Sequence, residues 1–172
     1  MTKGFSLVEM LVAVVIIGIL AFYGVTSYQV AADKARFETH RSLVEAVARA
    51  EHAYYYGAGE YTNDLSILAV HIPAEDPIHW KDVQTGESLP GFYTDKEESV
   101  FYRLEVQEDG KQLLLVVTPI TPNDFPVQYV TVLIEGETKW RNCLALDGTF
   151  SRGRRLCKAL GGKEYEKGGF FL

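Results

Sequence analysis

One carboxylate stands in the first 32 residues, and its position demands a chemical reason. Glu9 opens an apolar stretch in which Met10 to Ala32 carries no charge for 23 residues. In front of it lie Met1-Thr2-Lys3-Gly4 and then Phe5-Ser6-Leu7-Val8. A charge inside a membrane-spanning helix costs about 2.5 kcal/mol or more, so such a residue is a functional-site candidate by default. Its chemistry is that of half an ion pair, which becomes tolerable when a cation meets it. The competing reading has Glu9 snorkel to the lipid headgroups. Elsewhere the sequence has no P-loop, GxSxG, HExxH or paired-carboxylate pattern, and His40, His52, His71 and His79 are dispersed. It argues for no enzyme, no cofactor and no metal site.

The element that must position Glu9 is the apolar run itself. Twenty-three residues of helix suffice to span about 30 Å of hydrocarbon. Lys3 precedes the run, while Asp33, Lys34 and Arg36 follow it, which favours a cytoplasmic N-terminus. A secretory signal peptide would need a stronger basic region and no acid at the start of its apolar core. A plain signal anchor offers no reason for Glu9. A third reading places a leader boundary between Gly4 and Phe5.

The stretch Lys3-Gly4-Phe5-Ser6-Leu7-Val8-Glu9, with Gly18 and the run Ile16–Ala21 behind it, closely resembles the N-terminus of type IV prepilins and of type II secretion pseudopilins. The resemblance covers about 20 residues and is specific, because glycine, aromatic and glutamate are fixed in spacing. It implies a leader of residues 1–4, cut after Gly4 by a prepilin peptidase that then methylates the Phe5 amine. It further implies a single-pass precursor in the inner membrane, later an extracellular pilus or periplasmic pseudopilus. The subunit would polymerise with copies of itself, driven by an assembly platform and ATPase. Glu9 would then pair with the Phe5 amine of a neighbouring subunit. One departure is that Phe22–Tyr28 lacks the proline many members carry there.

Charge is unevenly divided over the 172 residues, whose net charge is −6. Residues 1–138 hold 9 Lys/Arg against 20 Asp/Glu, whereas residues 139–172 hold 8 against 3. A basic C-terminal lobe against an acidic body favours pairing between subunits. Aromatics stand near the basic residues, but the acidic remainder and the lack of a recognition motif argue against nucleic acid as partner. Cys143 and Cys157 have no metal-site spacing. Outside the cytoplasm they read as a disulfide, and in a cytosolic domain as two thiols. Type IV pilins carry a C-terminal disulfide loop, and the resemblance implies that arrangement here.

Beyond the apolar run, Phe37, Leu43, Val44, Val47, Ala50 and Tyr54 keep a helical period. One helix is expected from about residue 5 to 56, ended by Gly57 and Gly59, with Glu45 and Arg49 as an i,i+4 pair. Residues 5–32 form its membrane or filament-core half, and 33–172 the head. Gly57 to Ser99 reads as irregular, with Tyr61 and Leu65 as packing anchors. Strands are expected at 100–107, 112–118, 128–135 and 139–146, with an Asp109-Gly110 hairpin. The expected class is α+β: a long N-terminal helix on a four-stranded antiparallel sheet, with a C-terminal disulfide-stapled loop.

Overall fold

The structure is a computed structural model, and it describes residues 6–71, 80–81, 88–89, 92–95, 100–107, 109–120, 125–146, 150–166 and 168–172. Helix α1 runs without interruption over Leu7–Ala58, 52 residues or about 78 Å. Gly59 ends it in the left-handed conformation at φ 82°, and its amide donates to the Tyr55 carbonyl. The expected end was therefore right to within two residues. Gly18 and Gly24 do not break the helix.

Burial divides α1 sharply along its length. From Ser6 to Gln29 every described side chain is exposed, and the first buried one is Asp33. Thereafter Asp33, Phe37, His40, Val44, Val47 and Glu51 recur at steps of four and three, forming one buried stripe. Half of that stripe is polar. The His40 Nδ1 lies 2.7 Å from the Tyr102 hydroxyl.

Among the described residues nine strands follow in chain order: β1 Trp80–Lys81, β2 Ser88–Leu89, β3 Phe92–Asp95, β4 Val100–Gln107, β5 Gln112–Pro119, β6 Val127–Ile134, β7 Glu137–Ala145, β8 Lys163–Glu166 and β9 Gly169–Phe171. A second helix, α2, covers Phe150–Ala159. Strands β1 and β2 pair with each other, and the other seven form an antiparallel sheet in the order β3-β4-β5-β6-β7-β9-β8. The expected four strands are present as β4 to β7. The sheet is wider because β3 joins one edge and the C-terminal chain doubles back on the other. That chain lays down β8 outermost, then inserts β9 between β8 and β7. So the C-terminal segment is a helix and two strands, not only a stapled loop.

The alternating inner face of the sheet meets α1. Tyr102 and Leu104 of β4, Leu115 and Val117 of β5, and Tyr129 and Leu133 of β6 are buried with Phe37, Val44 and Val47. Phe37 lies edge-on to Tyr129, with ring centroids 5.2 Å apart. Two tight hairpins close the end of the sheet near the C-terminus of α1. Asp109-Gly110 and Glu135-Gly136 both have positive φ throughout, the twist-matched two-residue turn. Tyr61 ties the two together. Its amide donates to the Gly110 carbonyl, and its hydroxyl accepts from the Gly136 amide, each at 2.8 Å. Tyr61 and Leu65 are buried, as the anchor assignment requires.

Glu45 has a different partner from the one its spacing suggested. Arg141 of β7 grips its carboxylate through Nε and Nη2, at 2.5 and 3.0 Å. That hydrogen-bonded guanidinium holds the Glu45 carboxyl below the usual carboxylate range. Arg49 acts on it only at longer range.

Candidate functional site

The exposed half of α1 is the part of the molecule that its own fold does not use. Leu7, Val8, Leu11, Val14, Ile17 and Leu20 are each more than half exposed, and an 18-residue window of α1 is long and apolar enough to cross a membrane. None of that window is buried inside the molecule. A Cβ added at Gly18 or Gly24 would meet nothing within 4 Å. Among the described residues nothing covers this surface, and an exposed apolar face of this size marks a candidate interaction or membrane surface.

Glu9 sits in the first turn of α1, where Ser6 is the N-cap. The Ser6 hydroxyl accepts from the Glu9 amide at 3.2 Å, and the Glu9 Oε2 accepts from the Ser6 amide at 2.8 Å. This reciprocal capping box satisfies two of the donors a helix start leaves open. It gives Glu9 a local role that the family resemblance does not supply. The signal was in the sequence, since serine followed three residues later by glutamate before an apolar run is the capping-box pattern. Glu9 also suits the positive end of the helix dipole. The Oε2 is engaged, and a carboxylate has capacity for further donors at Oε1. Gly4 and Phe5, the expected cleavage and methylation positions, lie outside the described residues.

At the far end of the exposed rod, the C-terminal segment clamps the helix. Arg152 of α2 holds the carboxylate of Asp33 bidentately, at 2.7 and 2.5 Å. The Lys34 Nζ donates to the carbonyl of Ala159, at the other end of α2, at 3.4 Å. Cys143 of β7 and Cys157 of α2 form a disulfide with a Cα separation of 5.8 Å. Both cysteines are fully buried. Closing a loop of this length stabilises by about 3 kcal/mol in the chain-entropy account. Gly153 permits the close docking of α2, because a Cβ there would lie 2.6 Å from the Pro126 carbonyl oxygen. Arg154 is paired within the chain to Glu164, while Arg155 and Lys158 are exposed.

Residues 1–22 match the family model described as the prokaryotic N-terminal methylation motif. The chain thus carries the signature of type IV pilins and pseudopilins, here on a long helix with an apolar, exposed first half. No curated protein and no solved structure matches the chain.

Proposed function

We propose that the chain is a structural subunit of a type IV pilus-like filament. The observation that carries this is the methylation motif on residues 1–22 heading a helix whose first half is apolar and, among the described residues, exposed. A prepilin peptidase removes residues 1–4 and methylates Phe5, and the apolar half of α1 holds the precursor in the inner membrane until assembly. An assembly platform with its ATPase then packs α1 of each copy into the filament, with the heads outward. In the filament Glu9 receives the Phe5 amine of a neighbour, which sets the axial register.

Mass spectrometry of the mature protein tests the processing. A chain beginning at Phe5 and carrying one added methyl group is expected. An intact Met1, or a cut after Ala21, overturns the reading. For the register role, Glu9→Gln in a processed, stable protein should lower filament yield about tenfold or more. A hydrogen bond to a charged group contributes about 1.5–3 kcal/mol, and each subunit loses one. Unchanged yield removes Glu9 from assembly.

A pseudopilin of a type II secretion system shares the motif and the helix, and a membrane-anchored binding module shares the anchor and head. The disulfide that staples α2 to β7 suits either filament, since periplasm and cell exterior are both oxidising, and the lean to the pilus rests on the stapled C-terminal segment with few clustered acids. Electron microscopy of sheared surface material separates the first two. The third needs neither the Gly4–Phe5 cut nor Glu9.

A further inference from the structure

The part of the basic lobe carried by α2 is gathered at one level of the molecule. Asp33 and Lys34 are consecutive on α1, yet one binds near the start of α2 and the other its last residue. Helix α2 therefore lies across α1 at the level of residues 33–34, just past the uncharged run that ends at Ala32. At 1.5 Å per residue, that level is within about 5 Å of the end of the apolar run. The headgroup zone of a bilayer is about 5–7 Å deep on each side.

Leu156 and Cys157 turn the buried side of α2 to the core, and Arg155 and Lys158 occupy its opposite side, exposed. Lys163 follows directly beyond the α2 C-terminus and is also exposed. Among the described side chains, the acids beside this face, Asp33 and Glu164, are held by Arg152 and Arg154. Their charges cancel pairwise and leave Lys34, Arg155, Lys158 and Lys163 as a net positive surface.

We propose that, before assembly, this face of α2 rests on the anionic phospholipid headgroups of the leaflet from which α1 emerges. The inference rests on the apolar half of α1 being in the membrane. Given that, α2 needs no movement to reach the phosphates. A basic residue near an anionic membrane surface contributes a factor of about five in association, and the effect decays within a Debye length of about 8–10 Å. The contact orients the head on the bilayer, and salt or an anion-free leaflet releases it.

The test uses the full chain in vesicles of phosphatidylcholine alone or with phosphatidylglycerol, with spin-labelled forms of both lipids as probes. Co-flotation with the phosphatidylcholine vesicles reports insertion of α1 independently of headgroup charge. If the chain does not float, the membrane reading itself fails. If it floats, the lipid in contact with it should favour phosphatidylglycerol over phosphatidylcholine. The double variant Arg155→Gln/Lys158→Gln should lose about fivefold of that preference per charge. Raising the salt should abolish the preference in the parent. Both side chains are exposed, so the variant's thermal unfolding should stay close to that of the parent. A parent without headgroup preference, or a variant with the parent's preference, overturns the proposal. So does a variant that keeps the preference but assembles poorly, since the face would then dock a second copy.

Discussion

Arg152→Ala should destabilise the head by about 3–5 kcal/mol, whereas Asp33→Asn should cost about 1–2 kcal/mol. The asymmetry follows from burial. The side chain of Asp33 is 3% exposed and that of Arg152 is 30% exposed. Truncating the arginine strands a carboxylate where water does not reach. Neutralising the aspartate leaves a long cation that turns outward into solvent. Denaturant unfolding of the two variants, with the disulfide intact, measures both values. Equal losses would show that the Asp33 site hydrates readily and that the clamp is a surface contact. Because this pair ties α2 to the first buried turn of α1, the Arg152→Ala head should also become more susceptible to proteolysis within α2, Phe150–Ala159.

The second large effect is a pH dependence centred on Glu51. This residue is fully buried on the α1 stripe; the Thr62 amide donates to its Oε2 at 3.2 Å, and its Oε1 has no hydrogen-bond partner among the described residues. Burial pushes its carboxyl up to about 7, against an ordinary value of 4.5, and the Thr62 amide offsets only part of this. Tyr61 is close enough to feel its charge, but a phenol supplies no cation, and the adjacent His52 is not among the groups that act on it. Burial lowers the His52 imidazole and raises the Tyr61 phenol.

The folded state binds the Glu51 proton more tightly than the unfolded state does. Stability is therefore highest below pH 4.5 as far as this residue is concerned, falls between about 4.5 and 7, and stays low above. The loss is about 3 kcal/mol. Glu51→Gln keeps an acceptor for the Thr62 amide and cannot ionise, so its stability should lack this slope. The quantity to measure is the difference between parent and variant stability from pH 4 to 8. His52 contributes the opposite slope around its own range, and Glu45 loses its Arg141 contribution only as pH falls below the carboxylate range. Both cancel in the difference. A difference that stays constant across this range would mean that Glu51 reaches water.

The parts of this fold written in local spacing were legible, and the parts made by distant contacts were not. The extent of α1, its glycine stop, the Asp109-Gly110 turn and strands β4 to β7 depend on residues within a few positions of one another. The helical period found Phe37, Val44 and Val47 but passed over Asp33, His40 and Glu51 on the same face, because an apolar-pattern search discards polar residues. Their partners Arg152, Tyr102 and Thr62 come from elsewhere in the chain. Glu45 was given to Arg49, a neighbour by spacing, while the sheet delivers Arg141 from 96 residues away. Helix α2 was hidden for a similar reason. The stretch Phe150–Ala159 holds three arginines, a lysine and a glycine, and its helix is held by a disulfide and a glycine-sized gap. At the site, Glu9 and its spacing are plain in the sequence, and the Ser6 cap is local too, written as a serine three residues before the glutamate.

In the filament proposed above, the exposed half of α1 also sets what can hold the copies together. Lipid tails shelter Leu7 to Gln29 as well as neighbouring helices would. Moving the rod from bilayer to filament exchanges one oily medium for another, so the water-driven term that dominates soluble association nearly cancels. What remains is fit between surfaces and a few polar contacts. In that proposed packing, Gly18 and Gly24, where an added Cβ meets nothing within 4 Å, are where neighbouring helices can approach most closely. Cohesion then depends on shape, residue by residue, and one added methyl group at Gly18 or Gly24 weighs more than the removal of an exposed leucine.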